Sequence, residues 1–523
     1  MHRFLRKHEK DCSFFYTISQ MNSILVLSII ALYFCMVFGV SWWTTRKHDA
    51  DSQSFYRGDR KSPWWVVAIA MIGTSISGVT YVSVPGMVAS SSMGYLQMVL
   101  GFVAGYFAVA YILLPLYYRL GLSSIYVYLE QRYGQSAHRT GAAFFLLSKF
   151  LGCAVRMYLT AVVLQLVLFE GLGMPFGLSV ACIMLIVWLY SFRGGVKTLV
   201  WTDLLQTLCL LAAMVGFVVC VSKAMGLSAS GLYSTIVESP MSRVWFFDDA
   251  NDTRFFWKQF LGGAFTTIAM TGLDQDMMQK NLSCTSLKAA QKNMVSYGFG
   301  FLPVNLVFLS LGILLYTYAG QLGMLEADGT LHEVMVNGTA SPLKSDELFP
   351  YLATGINPLT GTPFLPLIVS ILFVLGLIAA AFSSAGSAVT ALTTSVMVDF
   401  MKPLSNETET RQRRFWVHLV NSILMGVMIY LFHLLASGSV INAVYVVASY
   451  TYGPLIGLFF FGLFTKVKVR DGIIPVICVL SPILCFILDQ NSETWFNGYK
   501  IGYELLLING GITALGLLLC RKK

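Results

Sequence analysis

Charge is scarce in this chain. Asp, Glu, Lys and Arg supply 12% of its 523 residues, about half the share found in soluble domains. Apolar residues supply 56%, and the mean hydropathy is +0.68. So little charge cannot clothe a water-facing surface. That excludes a soluble globular enzyme, a nucleic-acid-binding protein and a disordered chain. A single-anchor protein is excluded too, because apolar runs recur along the whole length. The ten cysteines include no C-x-x-C pair and lie scattered, mostly within apolar runs. They read as small apolar fillers rather than as a disulfide framework or a zinc site. No Ser–His–Asp set, metal-ligand cluster or carboxylate pair lies at a common depth, so the chain is not expected to be an enzyme.

What is present is a series of membrane spans. Crossing the hydrocarbon core takes about 20 apolar residues. Thirteen stretches meet or approach that length, near 22–43, 63–86, 94–117, 141–169, 175–192, 203–225, 256–273, 296–320, 365–398, 414–436, 440–464, 473–488 and 500–520. The first is too long for a cleavable leader and lacks a small-residue cleavage site. Basic residues set orientation. With the N-terminus outside and the C-terminus in the cytoplasm, 23 of the 35 Lys and Arg fall on the cytoplasmic side, while the outer loops 226–255 and 321–364 are acidic. The net charge of +9 is therefore a topology signal. The basic start, with Arg3, Arg6, Lys7 and Lys10, runs against it, and Met21, directly before the first span, offers an alternative start.

No short-period repeat is visible, but a coarse one is. Five spans from 63 to 225 are followed by five from 256 to 464. An odd number of spans per unit inverts the second against the first, an architecture of transporters with a midplane site. The first span of each unit is interrupted. Gly73-Thr74-Ser75-Ile76-Ser77-Gly78 and Thr80 lie in one, and Gly262-Gly263, Thr266-Thr267 and Gly272 in the other. Unwound backbone at membrane depth must face protein or a cavity; the other reading is close packing through small residues. Ala380, Ser383, Ser384 and Ser387 share one helix face, where hydroxyls and a carbonyl can serve a small hard cation or bond back within the helix.

Two charges stand out of place. Arg156 lies deep in span 141–169, where a charge costs about 2.5–3.5 kcal/mol on insertion scales. It reads as a fork for a substrate carboxylate or as half of an internal pair. Asp203 opens span 203–225 and reads as an ion ligand, a relay or a helix N-terminal anion. His418 and His433 read as packed residues, and Asp274 and Asp276 as the end of a helix on the cytoplasmic side.

Several motifs then occur together and in order. They are Gly194-Gly195-Val196-Lys197 followed by Val200-Trp201-Thr202-Asp203-Leu204-Leu205-Gln206; Asp274-Gln275 with Gln279-Lys280; Ser383-Ser384 fifteen residues before Asp399 in sequence order; and Tyr452-Gly453-Pro454 with Gly457 and Gly462-Leu463-Phe464. On these the chain resembles the sodium:solute symporter family over about residues 22–520. Within it, Ser77-Gly78-Val79-Thr80-Tyr81-Val82-Ser83-Val84-Pro85 and Arg156-Met157 resemble the sialic-acid symporter branch.

The resemblance implies an all-α membrane protein with about 13 transmembrane helices and a LeuT-type core of five plus five inverted helices. The segments would be 1–62 (extension, peripheral helix and loop), 63–225 (first repeat), 256–464 (second repeat) and 465–523 (two peripheral helices). It implies a sodium-coupled importer working by alternating access on an acidic sugar, with sialic acid foremost. A neutral sugar, inositol or a small monocarboxylate is the alternative. Ser77, Thr80 and Arg156 would hold the substrate carboxylate, with Ser75 nearby, Gln97 as a further polar contact and Phe265 as a gate. The main sodium would take the carbonyls of Gly73, Ile76 and Ala380 and the hydroxyls of Ser383 and Ser384; a second would take Asp203, Ser383 and Ser387, although Gly386 stands where another hydroxyl is wanted. The expected setting is a lipid bilayer, a bacterial inner membrane, with a monomer as the working unit and no nucleic acid.

Overall fold

The computed structural model describes residues 23–46, 52–122, 124–169, 172–325, 331, 333–336, 339–355, 363–401, 403–404, 406–435, 440–499 and 501–522. The basic start and Met21 lie outside the described residues. Each expected span meets a helix. In chain order these are α1 (Ser23–Thr45), the pair α2 (Trp64–Ser75) and α3 (Gly78–Gly86), α4 (Tyr95–Ala108), α5 (Gln135–Leu164), α6 (Phe176–Ser191), α7 (Gly195–Ala224), α8 (Phe256–Thr267), α10 (Leu287–Gln321), α11 (Leu367–Ser395), α12 (Glu407–Leu435), α13 (Val440–Phe464), α14 (Ile474–Gln490) and α15 (Leu505–Leu519). Between α8 and α10 lies the short α9 (Gln275–Leu282). An antiparallel ribbon, β1 (Glu333–Val336) with β2 (Thr339–Pro342), decorates the loop after α10. Among the described residues nine helices are long and apolar enough to cross a membrane, ten with the bent pair α2–α3; α6 and α15 are shorter apolar helices.

The core is assembled around α11, of which every residue from Gly376 to Ser395 is buried. It packs on α7, and α7 packs on α2. The helix pair α4–α8 closes another side. Those two backbones nearly touch: a Cβ on Gly101 would meet the Phe260 carbonyl oxygen at 2.1 Å, and one on Gly263 the Met98 carbonyl oxygen at 2.2 Å. Small residues allow such approach where lipid offers no hydrophobic drive. Gly263 therefore serves packing. The second expected interruption is milder than the first, since α8 continues as a wide π turn over Ile268–Gly272 before the chain leaves the helix.

The start of α7 also differs from expectation. It begins at Gly195, so Asp203 lies inside the helix rather than at its mouth. Asp274 and Asp276 do not end a helix. Asp274 caps the start of α9, accepting the backbone N–H groups of Asp276 (2.9 Å) and Met277 (3.3 Å). His418 is buried between Ser191 and Thr393, and His433 stacks on Phe176. Both are packed, as the sequence suggests.

Candidate functional site

The break between α2 and α3 organises the site. Their axes diverge by 64°. Gly, Ser and Thr hold a helix poorly, and Ser77 offers an alternative: in extended backbone, its Oγ accepts the Thr80 N–H (3.4 Å) and caps α3. A helix stopped at Ser75 leaves its last carbonyls without helical donors, and those of Gly73 and Ile76 belong to this stretch. The break can lie against its neighbours because two glycines leave room. A Cβ on Gly73 would come within 2.0 Å of Thr207 Oγ1, and one on Gly78 within 2.0 Å of Thr160 Oγ1.

The Ala380–Ser387 face of α11 meets that break. Ser384 Oγ donates to the Thr74 carbonyl (2.9 Å), and Ser383 Oγ lies 3.4 Å from Thr74 Oγ1. Ala380 lies one turn before, fully buried. Carbonyls and hydroxyls of the five sodium candidates thus come from two facing elements, a donor set suited to a hard cation.

A cavity opens beside the break. Ser75, Ser77, Thr80 and Arg156 all line it, with Tyr95 and Tyr445. Ser75 Oγ is bonded to the Tyr297 hydroxyl, and Tyr106 donates to Tyr297 (2.8 Å). Arg156 makes no hydrogen bond or ion pair with any described residue. Lys149, seven residues earlier on α5 and lining the same cavity, is fully engaged: Asp276 Oδ2 lies 2.8 Å away and Asp274 Oδ1 3.3 Å, and Tyr452 donates to Asp274 (2.5 Å).

Known proteins are similar to this chain. The sodium:solute symporter family model matches residues 55–474. The chain belongs to the sodium:solute symporter family. A human sodium-coupled monocarboxylate transporter 2 is 26% identical over 81% of this chain and 65% of its own length. A Drosophila melanogaster putative sodium-dependent multivitamin transporter is 26% identical over 88% of this chain and 73% of its own. The chain thus spans about two thirds of these animal relatives. The sodium/sialic acid symporter SiaT of Proteus mirabilis is 22% identical over 90% of this chain and 91% of its own length. The fold is that of a solved sodium-coupled sialic acid symporter, with a TM-score of 0.75 at 18% identity over 95% of this chain and 98% of that one. The family and these neighbours are transporters, not enzymes.

Two expected substrate residues of the symporter stand elsewhere. Gln97 is fully buried and absent from the cavity wall. Its Nε2 donates to the carbonyls of Arg254 (2.8 Å) and Gly94 (3.3 Å), and its Oε1 accepts the Phe246 N–H (3.1 Å). It clamps the outer segment before α8 onto α4. Phe265 packs against Phe460 at 5.8 Å between ring centres, also away from the cavity wall.

Asp203 and Ser387 do come together, but around a protein cation. Asp203 Oδ2 accepts from Lys280 Nζ (2.6 Å), Ser387 Oγ (3.0 Å) and Thr74 Oγ1 (3.2 Å). Lys280 Nζ also bonds Thr74 Oγ1. Sequence reasoning missed Lys280, which it counted among loop charges. All eight residues of α9 are buried. The available signal was electrostatic: a carboxylate deep in a span needs a partner, and Gln279-Lys280 belongs to a motif already in view.

Proposed function

We propose that this symporter uses the sodium gradient to import a small carboxylate-bearing solute, an acidic sugar such as sialic acid foremost. The observation that carries this reading is Arg156, a guanidinium with no ion pair among the described residues, on a cavity wall it shares with Ser77 and Thr80. The half-buried guanidinium turns its fork to a cavity rather than to a described protein partner, and a bidentate carboxylate would complete it. The near end-to-end match to the Proteus relative supports the acidic sugar, and the human monocarboxylate relative supports a small monocarboxylate as the second reading. For a neutral sugar or inositol, Arg156 would need a protein partner.

Sodium would be held by the Gly73, Ile76 and Ala380 carbonyls and the Ser383 and Ser384 hydroxyls. Because these come from both the broken span and α11, the ion ties the two together. Substrate then completes the site on Arg156, Ser77 and Thr80, with Ser75 held beside them by Tyr297. Residues 63–225 and 256–464 form the two inverted halves that rock about this site. The distribution of basic residues supports an outer N-terminus and a cytoplasmic C-terminus. The bacterial relative supports a bacterial inner membrane.

The test is uptake of labelled N-acetylneuraminate into proteoliposomes under an inward sodium gradient. Sodium-dependent uptake is expected. Its absence from folded protein, with uptake of a monocarboxylate such as pyruvate instead, would move the assignment to the second reading.

A further inference from the structure

We propose that Lys280 is a tethered cation in the place a second coupling ion would take, so that one sodium is moved per substrate. This deepens the sodium-symport reading above and rests on it. Three features of the Asp203 cluster lead there.

The first is the set of acceptors. Asp203 Oδ2 and Ser387 Oγ, with Thr74 Oγ1 beside them and Ser383 Oγ 3.4 Å from Thr74 Oγ1, are oxygens a sodium would use at this spot, and Lys280 Nζ already lies on Asp203 and Thr74. The second is room. By the resemblance, another hydroxyl is wanted at Gly386; a Cβ there would lie 2.1 Å from the Tyr190 hydroxyl, which itself donates to the Phe382 carbonyl. Tyr190 therefore fills the space a serine would need. The third is charge. Asp203 is 0% and Lys280 1% exposed, so the pair is neutral within a buried interior. A sodium added beside it would set two cations against one carboxylate, with little solvent to offset the repulsion.

The tether is firm. Gln275 Oε1 accepts the Ile125 N–H (3.0 Å), and Gln279 Nε2 donates to Thr394 (2.7 Å), fixing α9 at two positions on the Lys280 helix. Asp203 Oδ1 has no hydrogen-bond partner among the described residues. The carboxylate thus keeps an oxygen without a hydrogen bond that a sodium could take once the ammonium is removed. The consequence is energetic. One sodium with a monoanion moves no net charge, so a tenfold sodium gradient supports roughly tenfold accumulation. Two sodium ions in the same gradient with about 100 mV would support several thousandfold.

The experiment is equilibrium binding of radioactive sodium to the purified full chain in lipid nanodiscs, paired with uptake into proteoliposomes clamped with valinomycin. The wild type is expected to bind one sodium and to take up substrate at a rate indifferent to an inside-negative potential. Lys280→Met is expected to bind two and to become potential-sensitive. Lys280→Met with Asp203→Asn should return to one. Two sodium ions bound by the wild type would overturn the proposal without any variant, which covers failure of Lys280→Met to fold. A folded Lys280→Met that still binds one would overturn it as well. If the wild type binds no sodium, the symport reading itself falls and this proposal with it.

Discussion

Arg156 and Lys280 are two cations within one helical bundle, and they live by opposite rules. Arg156 lines a cavity and bonds to no described residue. Lys280 is sealed away and bonded to both Asp203 and Thr74. On the proposed function, a cavity-lining charge with no partner among the described residues is kept for substrate, whereas a charge already paired is part of the architecture. Lys149 shows that the surroundings rather than the helix decide this. It shares α5 with Arg156, yet it belongs to the paired class through Asp274 and Asp276.

The sharpest way to break this contrast is to remove the partner of the paired cation. Asp203→Ala leaves Lys280 buried without a counter-charge, which costs about 3–5 kcal/mol for a buried pair. Thermal unfolding in detergent should show a clear loss of stability and poor folded yield. An unchanged melting temperature would mean that Lys280 reaches water and that the two cations are alike after all.

Arg156→Ala should act the other way round. No partner among the described residues is orphaned, so folded yield and melting temperature should hold. The loss falls on substrate, where hydrogen bonds to a charged group are worth about 1.5–3 kcal/mol, or roughly ten- to a hundredfold in apparent KM. Arg156→Lys, which keeps the charge but not the fork, should recover only part of it. A variant that fails to fold while KM is preserved in the surviving fraction would place Arg156 with Lys280.

The sequence made the contrast only half visible. Arg156 announces itself because it interrupts an apolar run, and hydropathy reads such interruptions well. Lys280 sits in Gln275-Asp276-Met277-Met278-Gln279-Lys280-Asn281-Leu282, polar enough to pass for a cytoplasmic loop. Hydropathy separates residues that face lipid from those that do not, and cannot separate water from a polar protein interior. The broken span around Gly73–Gly78 was readable for the opposite reason: poor helix formers at membrane depth free backbone groups that only protein or a cavity can satisfy. Gly262-Gly263 looked similar, yet the demand there came from neighbours distant in sequence, Tyr503 for Gly262 and the α4 backbone at Met98 for Gly263, which no local pattern reports.

Gln97 and Phe265 extend the comparison to residues without charge, where smaller effects are expected. Gln97→Ala would orphan the Phe246 N–H and two backbone carbonyls, a loss of about 1–3 kcal/mol for buried polar groups. It should appear as lowered stability with apparent KM held, since the side chain clamps backbone and touches no cavity. Phe265→Ala should do least. Its ring lies on Phe460, and an aromatic pair adds about 0.5–1.5 kcal/mol beyond area burial. Apparent KM for substrate should stay within about twofold, a change smaller than that from losing a single neutral hydrogen bond. Uptake kinetics on Phe265→Ala therefore decide whether the cavity wall in this structure is the one substrate meets. A large rise in KM with stability intact would mean that α8 turns its Phe265 face inward during the transport cycle, and that the residue closes over substrate in a state other than this one.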